Sequence, residues 1–366
     1  MTFKNAFGIG IRRRFSGLVS SVLLLCLSCL QGCQDSDPTI VEETHRLAEE
    51  HGFNVGRLFY ALDLAEASGS VDALVVERHG VVVGEAYAPE VPSWSLLETY
   101  SVTGSVTSLL VGSALDAGYL ESLDQTLGEL LEPWEQNMNE EKAGITLHQL
   151  LTMTSGVSRP ERTMEEWENW MAAEDQVAWV LNHPLISAPG ENYNPDAAAV
   201  HLLSAALTQA TGKNLAELAR ESIMVPLEIP WADWQADSNG HSFGGFGLRI
   251  RTRDLVKFAR LILNQGRWKE AQVLSPTWVQ EATRPHLHPY PDYPDWGFGY
   301  LWKSDTCGGH PCIYSSGYGG QILVAVPDLD LAIALNSRYP ETDEQALNQS
   351  HTAWGIIIEQ IIPSAR

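Results

Sequence analysis

The chain has 366 residues, with 46 acidic side chains against 23 basic ones and a formal charge of −23. A surface this acidic repels polyanions, which excludes nucleic acid as an expected partner. The length and the 44% of hydrophobic residues suffice for one large domain or two intimate ones.

The first segment reads as an export signal, because Arg12, Arg13 and Arg14 precede the apolar run GLVSSVLLLCLSCL. That run is too short for a comfortable membrane span. It ends in Leu30-Gln31-Gly32-Cys33, which resembles the lipobox of bacterial lipoproteins, where cleavage leaves the cysteine lipidated. The expected product is therefore a lipoprotein held to a bacterial membrane through Cys33, facing the periplasm or the exterior. Removing residues 1–32 leaves 334 residues and takes away Lys4 and three arginines but no acid, so the mature charge falls from −23 to −27.

Residues 33–50 form an acidic tether that can turn helical toward its end, and 51–366 form the domain. After a helical stretch near 55–68, DALVVERHGVVVGEAYAP alternates β-branched residues about His79-Gly80, the pattern of a hairpin. Apolar residues at helical spacing then predict helices over 101–117, 146–153, 164–182, 197–211, 252–265 and 275–283. Strand signals return in GFGYLW, GYGGQILVAVP and LAIALNS, and ALNQSHTAWGIIIEQII closes the chain as a helix. Strands at both ends of the sequence with helices between them predict an α+β fold. One antiparallel sheet is flanked by terminal helices, and a large helical region, about 98–285, is inserted.

Of five cysteines, Cys26 and Cys29 leave with the signal and Cys33 takes lipid, so Cys307 and Cys312 remain. In an oxidising compartment they are a disulfide candidate. A metal site using His310 lacks a fourth ligand. No metal or cofactor is expected.

Five ordered segments carry a family resemblance: SVTGSVTSLLVGSALDAGYL, ITLHQLLTMTSGV, PGENYNPDAAAVHLLSAALTQATGKN, GGFGLRIRTRDLVKFARLILNQGRW and SSGYGGQILVAVPDLDLAIAL. The mature chain is similar over nearly its whole length to the β-lactamase-related serine hydrolases. These include class C β-lactamases, D-alanyl-D-alanine carboxypeptidases, related esterases and nylon-oligomer amide hydrolases. The resemblance implies a β-lactamase/transpeptidase-like fold, with S-x-x-K, Y-x-N and K/H-x-G patches meeting in a cleft. A lysine one helical turn beyond the serine accepts its proton.

Here the patches depart from that pattern. Ser101 takes the nucleophile's place, but the lysine's place holds Gly104, and none of the six lysines has a serine three residues before it. The tyrosine's place holds Pro195 and the asparagine's Asp196. Tyr193 lies two residues early, where it reads as core. The third patch is Ser315-Ser316-Gly317, with serine where lysine or histidine often stands. The resemblance makes the backbone N–H groups of Ser101 and Tyr318 the oxyanion donors. Gly104, Asp196, Ser315, Gly317 and Trp302 are the candidate ligand-binding residues. Trp134, Trp167, Trp170, Trp231 and Trp234 are also available to a cleft, although helical spacing makes most of the tryptophans core.

A helix-capping role would explain Ser101 without chemistry. Loss of the lysine predicts room beside Gly104 for water or part of a ligand. Asp196, His148 and His310 are the candidate replacement bases, whereas His201 reads as packing. Two functions follow. One is a lipoprotein impaired in the Ser/Lys/Tyr mechanism that keeps a cleft for a small-molecule, peptide or peptidoglycan-like ligand; the other is an amide or ester hydrolase using Ser101 with a non-standard base.

Overall fold

A computed structural model describes residues 38–366. The signal segment 1–32, Cys33 and the start of the tether lie outside the described residues. The rest of the tether is helical: α1 (Pro38–Glu50) buries Ala48, and its His45 meets Phe59 of α2 (Val55–Ala67) edge to face. The hairpin follows as β1 (Val71–Arg78) and β2 (Val81–Tyr87). His79 and Gly80 both take positive φ, 53° and 81°, the turn whose twist matches a two-residue hairpin.

A short strand β3 (Leu97–Glu98) leads into the helical region. It comprises α3 (Val102–Asp116), α4 (Leu127–Leu130), α5 (Glu140–Ala143), α6 (Leu147–Leu151), α7 (Met164–Met171), α8 (Gln176–Asn182), α9 (Ala197–Thr211) and α10 (Leu215–Ala219). Strands β4 (Asp233–Trp234) and β5 (Leu248–Ile250), helix α11 (Thr252–Leu263), the ribbon β6 (Arg267–Trp268) and β7 (Ala271–Gln272), and α12 (Pro276–Thr283) complete it. The chain returns through β8 (Gly297–Phe298), β9 (Lys303–Cys307), β10 (His310–Gly317), β11 (Gln321–Val326) and β12 (Leu331–Ser337), then ends in α13 (Asp343–Gly355) and a widened last turn.

The main sheet is antiparallel, in the order β2-β1-β12-β11-β10-β9-β8. Both faces are covered, which is why β11 and β12 are buried at every position and read as unbroken apolar runs. One face sends Val75, Leu323, Ala325, Ala332 and Ala334 into the core of the helical region; the other packs Leu74, Val76, Ile322, Val324 and Ile333 on α2 and the carboxy-terminal turns. Helix α3 is buried on nearly every side, as expected of a helix apolar all round.

Two sequence expectations need correction. The helix expected over 164–182 is two helices, because Asp175 accepts the N–H of Ala178 and starts α8 afresh. GFGYLW is strand only at Gly297–Phe298, since Gly299 N–H bonds back to the Trp302 carbonyl and Leu301 turns to φ 62°. The β9–β10 hairpin is closed by a Cys307–Cys312 disulfide.

Candidate active site

The site is built around a strained turn. Strand β3 pairs with β5, Leu97 opposite Ile250 and Glu98 opposite Arg249. Just beyond it the Thr99 hydroxyl bonds the Leu248 carbonyl and the Thr103 hydroxyl, both at 2.9 Å. Tyr100 then takes φ 45°, a conformation costly for a residue with a side chain and common at functional positions. The Glu98 carboxylate holds it there, accepting the N–H groups of Tyr100 at 3.1 Å and Gly247 at 3.0 Å. Burial raises the Glu98 pKa in spite of these bonds.

The turn leaves Ser101 exposed just before α3. Its side chain makes no capping hydrogen bond, and its backbone is already helical at φ −66° and ψ −9°. Capping therefore does not account for it. Gly317 of β10 comes so close that a Cβ there would lie 2.9 Å from the Thr99 carbonyl oxygen and 3.0 Å from the Ser101 nitrogen; only glycine fits. Neither the Ser101 nor the Tyr318 N–H donates to an acceptor among the described residues. Two unengaged backbone donors thus flank an exposed hydroxyl, the raw material of an oxyanion hole.

The expected base is missing, and apolar side chains border its place. Gly104 is buried, and a Cβ on it would sit 3.9 Å from Leu301 Cδ1 and 4.0 Å from Val200 Cγ1. Two apolar side chains border that space at ordinary contact distances. One residue on, the Ser105 hydroxyl bonds the Leu301 carbonyl at 2.6 Å and shares a 2.7 Å bond with the Ser315 hydroxyl. The third-patch serine is thereby tied to α3 and is 3% exposed. Lys303 reaches the Ser316 hydroxyl at 2.7 Å. Strand alternation puts Ser316 on the opposite face of β10 from Ser315, the face on which Tyr314 packs against Trp354. Burial lowers the Lys303 pKa to about 8, but this amine is turned away from Ser101.

The second patch is also structural. Pro195 offers its carbonyl to Arg159 at 3.3 Å. Asp196 is buried and caps α9, accepting the Ala199 N–H at 2.6 Å. Tyr193 packs edge-on against Tyr290, Trp296 and Phe298, and burial holds its pKa well above the usual value; it is core, as expected. Trp302 is fully buried in the main core and lines no open surface. Among the other tryptophans, Trp134, Trp170 and Trp234 are also buried, and Trp231 is exposed.

The replacement bases fare no better. His148 is bonded to the Tyr300 hydroxyl at 3.1 Å. His310 pairs with Asp328 at the far end of β10, roughly 24 Å from Gly317 along the strand. His201 is buried and bonded to Asp237 at 3.1 Å, a packing residue as expected. Among the described residues no basic side chain bonds the Ser101 hydroxyl.

The Beta-lactamase family model matches residues 64–353. The chain belongs to the β-lactamase family. No curated protein matches it by sequence. In structure this β-lactamase-family chain is similar to a candidate 6-aminohexanoate-dimer hydrolase from Bacillus anthracis, 19% identical, with 80% of this chain and 81% of that one covered and a TM-score of 0.66. It is also similar to a D-stereospecific amidohydrolase from Streptomyces, 18% identical, covering 77% and 93% at a TM-score of 0.61. A third similar structure is an octameric penicillin-binding protein homologue from Pyrococcus abyssi, 18% identical, covering 85% and 78% at 0.65. At these identities the likeness shows the shared fold.

Sequence reasoning missed Glu98, Ser105, Arg159 and Leu301. Only Glu98 carried a signal, an acid three residues before the serine. The others act through tertiary contacts.

Proposed function

We propose that this β-lactamase-family chain is a lipid-anchored protein of the bacterial cell envelope, impaired in the Ser/Lys/Tyr mechanism. It uses the Ser101 turn to hold a small amide, peptide or peptidoglycan-like ligand. One observation carries the loss of mechanism: Ser101 is exposed with no basic partner among the described residues, while the position that should supply one is Gly104, buried beside Leu301 and Val200. An alcohol without a proton acceptor forfeits about 10²- to 10⁴-fold in rate, and losing groups that act as a unit forfeits on the order of 10⁶. The lipid anchor rests on Arg12–Arg14, the apolar run and Cys33. No helix among the described residues is long and apolar enough to cross a membrane.

The test is a fluorophosphonate or β-lactam incubated with the protein and followed by intact mass. The expected result is no stoichiometric adduct within hours. A full adduct that disappears in Ser101→Ala would establish the second reading, a hydrolase with an unconventional base. That reading has one observation in its favour, the unengaged N–H groups of Ser101 and Tyr318, which alone can give roughly 10³ over water. Slow turnover of an activated ester therefore does not separate the two readings. For the anchor, Cys33→Ala is expected to move the protein from the membrane to the soluble fraction.

A further inference from the structure

Three tyrosines cluster beside the Ser101 turn. The Tyr100 ring lies 6.1 Å from that of Tyr318 and 6.4 Å from that of Tyr339, both tilted. Tyr339 is 69% exposed. The hydroxyls of Tyr100 and Tyr339 bond nothing among the described residues, whereas Tyr318 donates to Asp343 Oδ1 at 2.7 Å. Aromatic faces with acid beside them attract cations through the ring quadrupole and direct charge.

The charges around this group favour the same ligand. Where family members carry lysine after the nucleophile, this chain has Gly104; where lysine or histidine often stands on the third patch, it has Ser315. Neither position therefore offers a cation to a carboxylate. What remains near the rings is Glu98 beneath Tyr100 and Asp343 on Tyr318. Burial, and then these acids, raise the pKa values of Tyr100 and Tyr318. Three arginines of the flanking segments are engaged elsewhere: Arg338 with Asp72 and Glu90, Arg249 with Asp233, and Arg159 with the Pro195 carbonyl. The net charge of −23 adds a long-range attraction of the same sign.

We infer that Tyr100, Tyr318 and Tyr339, with Asp343, form a recognition site for the ammonium end of a small ligand whose amide or ester lies at Ser101. This rests on the proposed ligand-holding role of the Ser101 turn and adds the charge class of the ligand. A ligand carrying a carboxylate in that position is disfavoured.

The probes are n-hexylammonium, n-hexanol and n-hexanoate, titrated at low salt into full-length protein with ¹³C-labelled tyrosine rings, the three signals being assigned by single Tyr→Phe variants. Hexylammonium is expected to shift all three and to bind at least about tenfold more tightly than hexanoate. Tyr339→Leu and Asp343→Asn are each expected to weaken it by about 2- to 30-fold. Both positions are exposed, so folding is not at stake. Equal affinity for hexanoate or hexanol, or an unchanged affinity in Tyr339→Leu, overturns the inference while leaving a ligand-holding turn in place. No shift by any of the three probes overturns both. A Ser101 adduct in the fluorophosphonate experiment overturns only the loss of mechanism.

Discussion

Two glycines on the same helix show how much a single missing Cβ can mean. At Gly104 an added methyl meets only Leu301 and Val200 at ordinary contact distances; at Gly112 it would lie 2.1 Å from Trp278 Cδ1. Alanine is also the better helix former by about 0.8–1 kcal/mol. Gly104→Ala is therefore expected to raise the unfolding free energy by about 0.5–1 kcal/mol. Gly112→Ala should lower it by about 1–3 kcal/mol, because a ring in a packed core has to move. Urea denaturation of the two variants checks both, and a destabilised Gly104→Ala would mean the space beside α3 is tighter than the contacts imply. Gly104→Lys is a different case: it puts a charge against two aliphatic side chains, so even with Pro195→Tyr it is expected to restore no turnover while Leu301 stays.

At the scale of elements, α11 is fastened to the sheet by one buried cation. Arg260 bonds Glu77 of β1 through Nε at 3.0 Å and Nη2 at 2.5 Å, and also bonds the side chain and carbonyl of Asp330 in the β11–β12 connection. Removing one partner of a buried pair strands the other, so Arg260→Ala is expected to cost about 3–5 kcal/mol, read as a shift in denaturation midpoint. An unchanged midpoint would show that water reaches Glu77.

Elements were legible where local and tertiary preferences agree. Helix α9 runs over the expected residues because Asp196 caps its start and Gly212, at φ 68°, ends it. Strands β9 and β10 were not legible as a pair, since KSDTC and HPCIYSS lack a β-branched run and are held by a disulfide and by their neighbours in the sheet. In the site, position along the family pattern located Ser101, Gly104 and Gly317. It could not reveal that Leu301 borders the lysine's space or that Ser105 reaches Ser315, because both depend on segments roughly 200 residues away meeting in the fold.

For the molecule as a whole, acid should be the weak side. Asp237 accepts from His201 at 3.1 Å and His241 at 3.0 Å, and its side chain is buried with that of His201. Burial lowers the His201 pKa from 6.5, with Asp237 opposing. The His201 Nδ1 is buried without a partner among the described residues, so a proton placed there would have no acceptor. Burial raises the Asp237 pKa, but the histidine bonds outweigh it and hold the value below 3.8. Each group is depressed in the folded state, so its stabilisation is whole above the unfolded value and is lost as pH falls through the folded one. Melting temperature is therefore expected to decline as pH drops below about 6.5, and His201→Gln should flatten that decline. A profile that stays level to pH 4 would contradict it.

The pairing of β1 with β12, Val71 opposite Ser337 through Arg78 opposite Leu331, sets a timetable for biogenesis. The middle of the sheet joins the first long strand to the last, roughly 250 residues apart along the chain, a late and slow loop closure. Until β12 docks, β1 has only β2 beside it, and its other edge waits, open to mispairing. A chain that stops before residue 331 keeps most of the core of the helical region but lacks the strand that joins β1 to β11, so its sheet stays in two pieces.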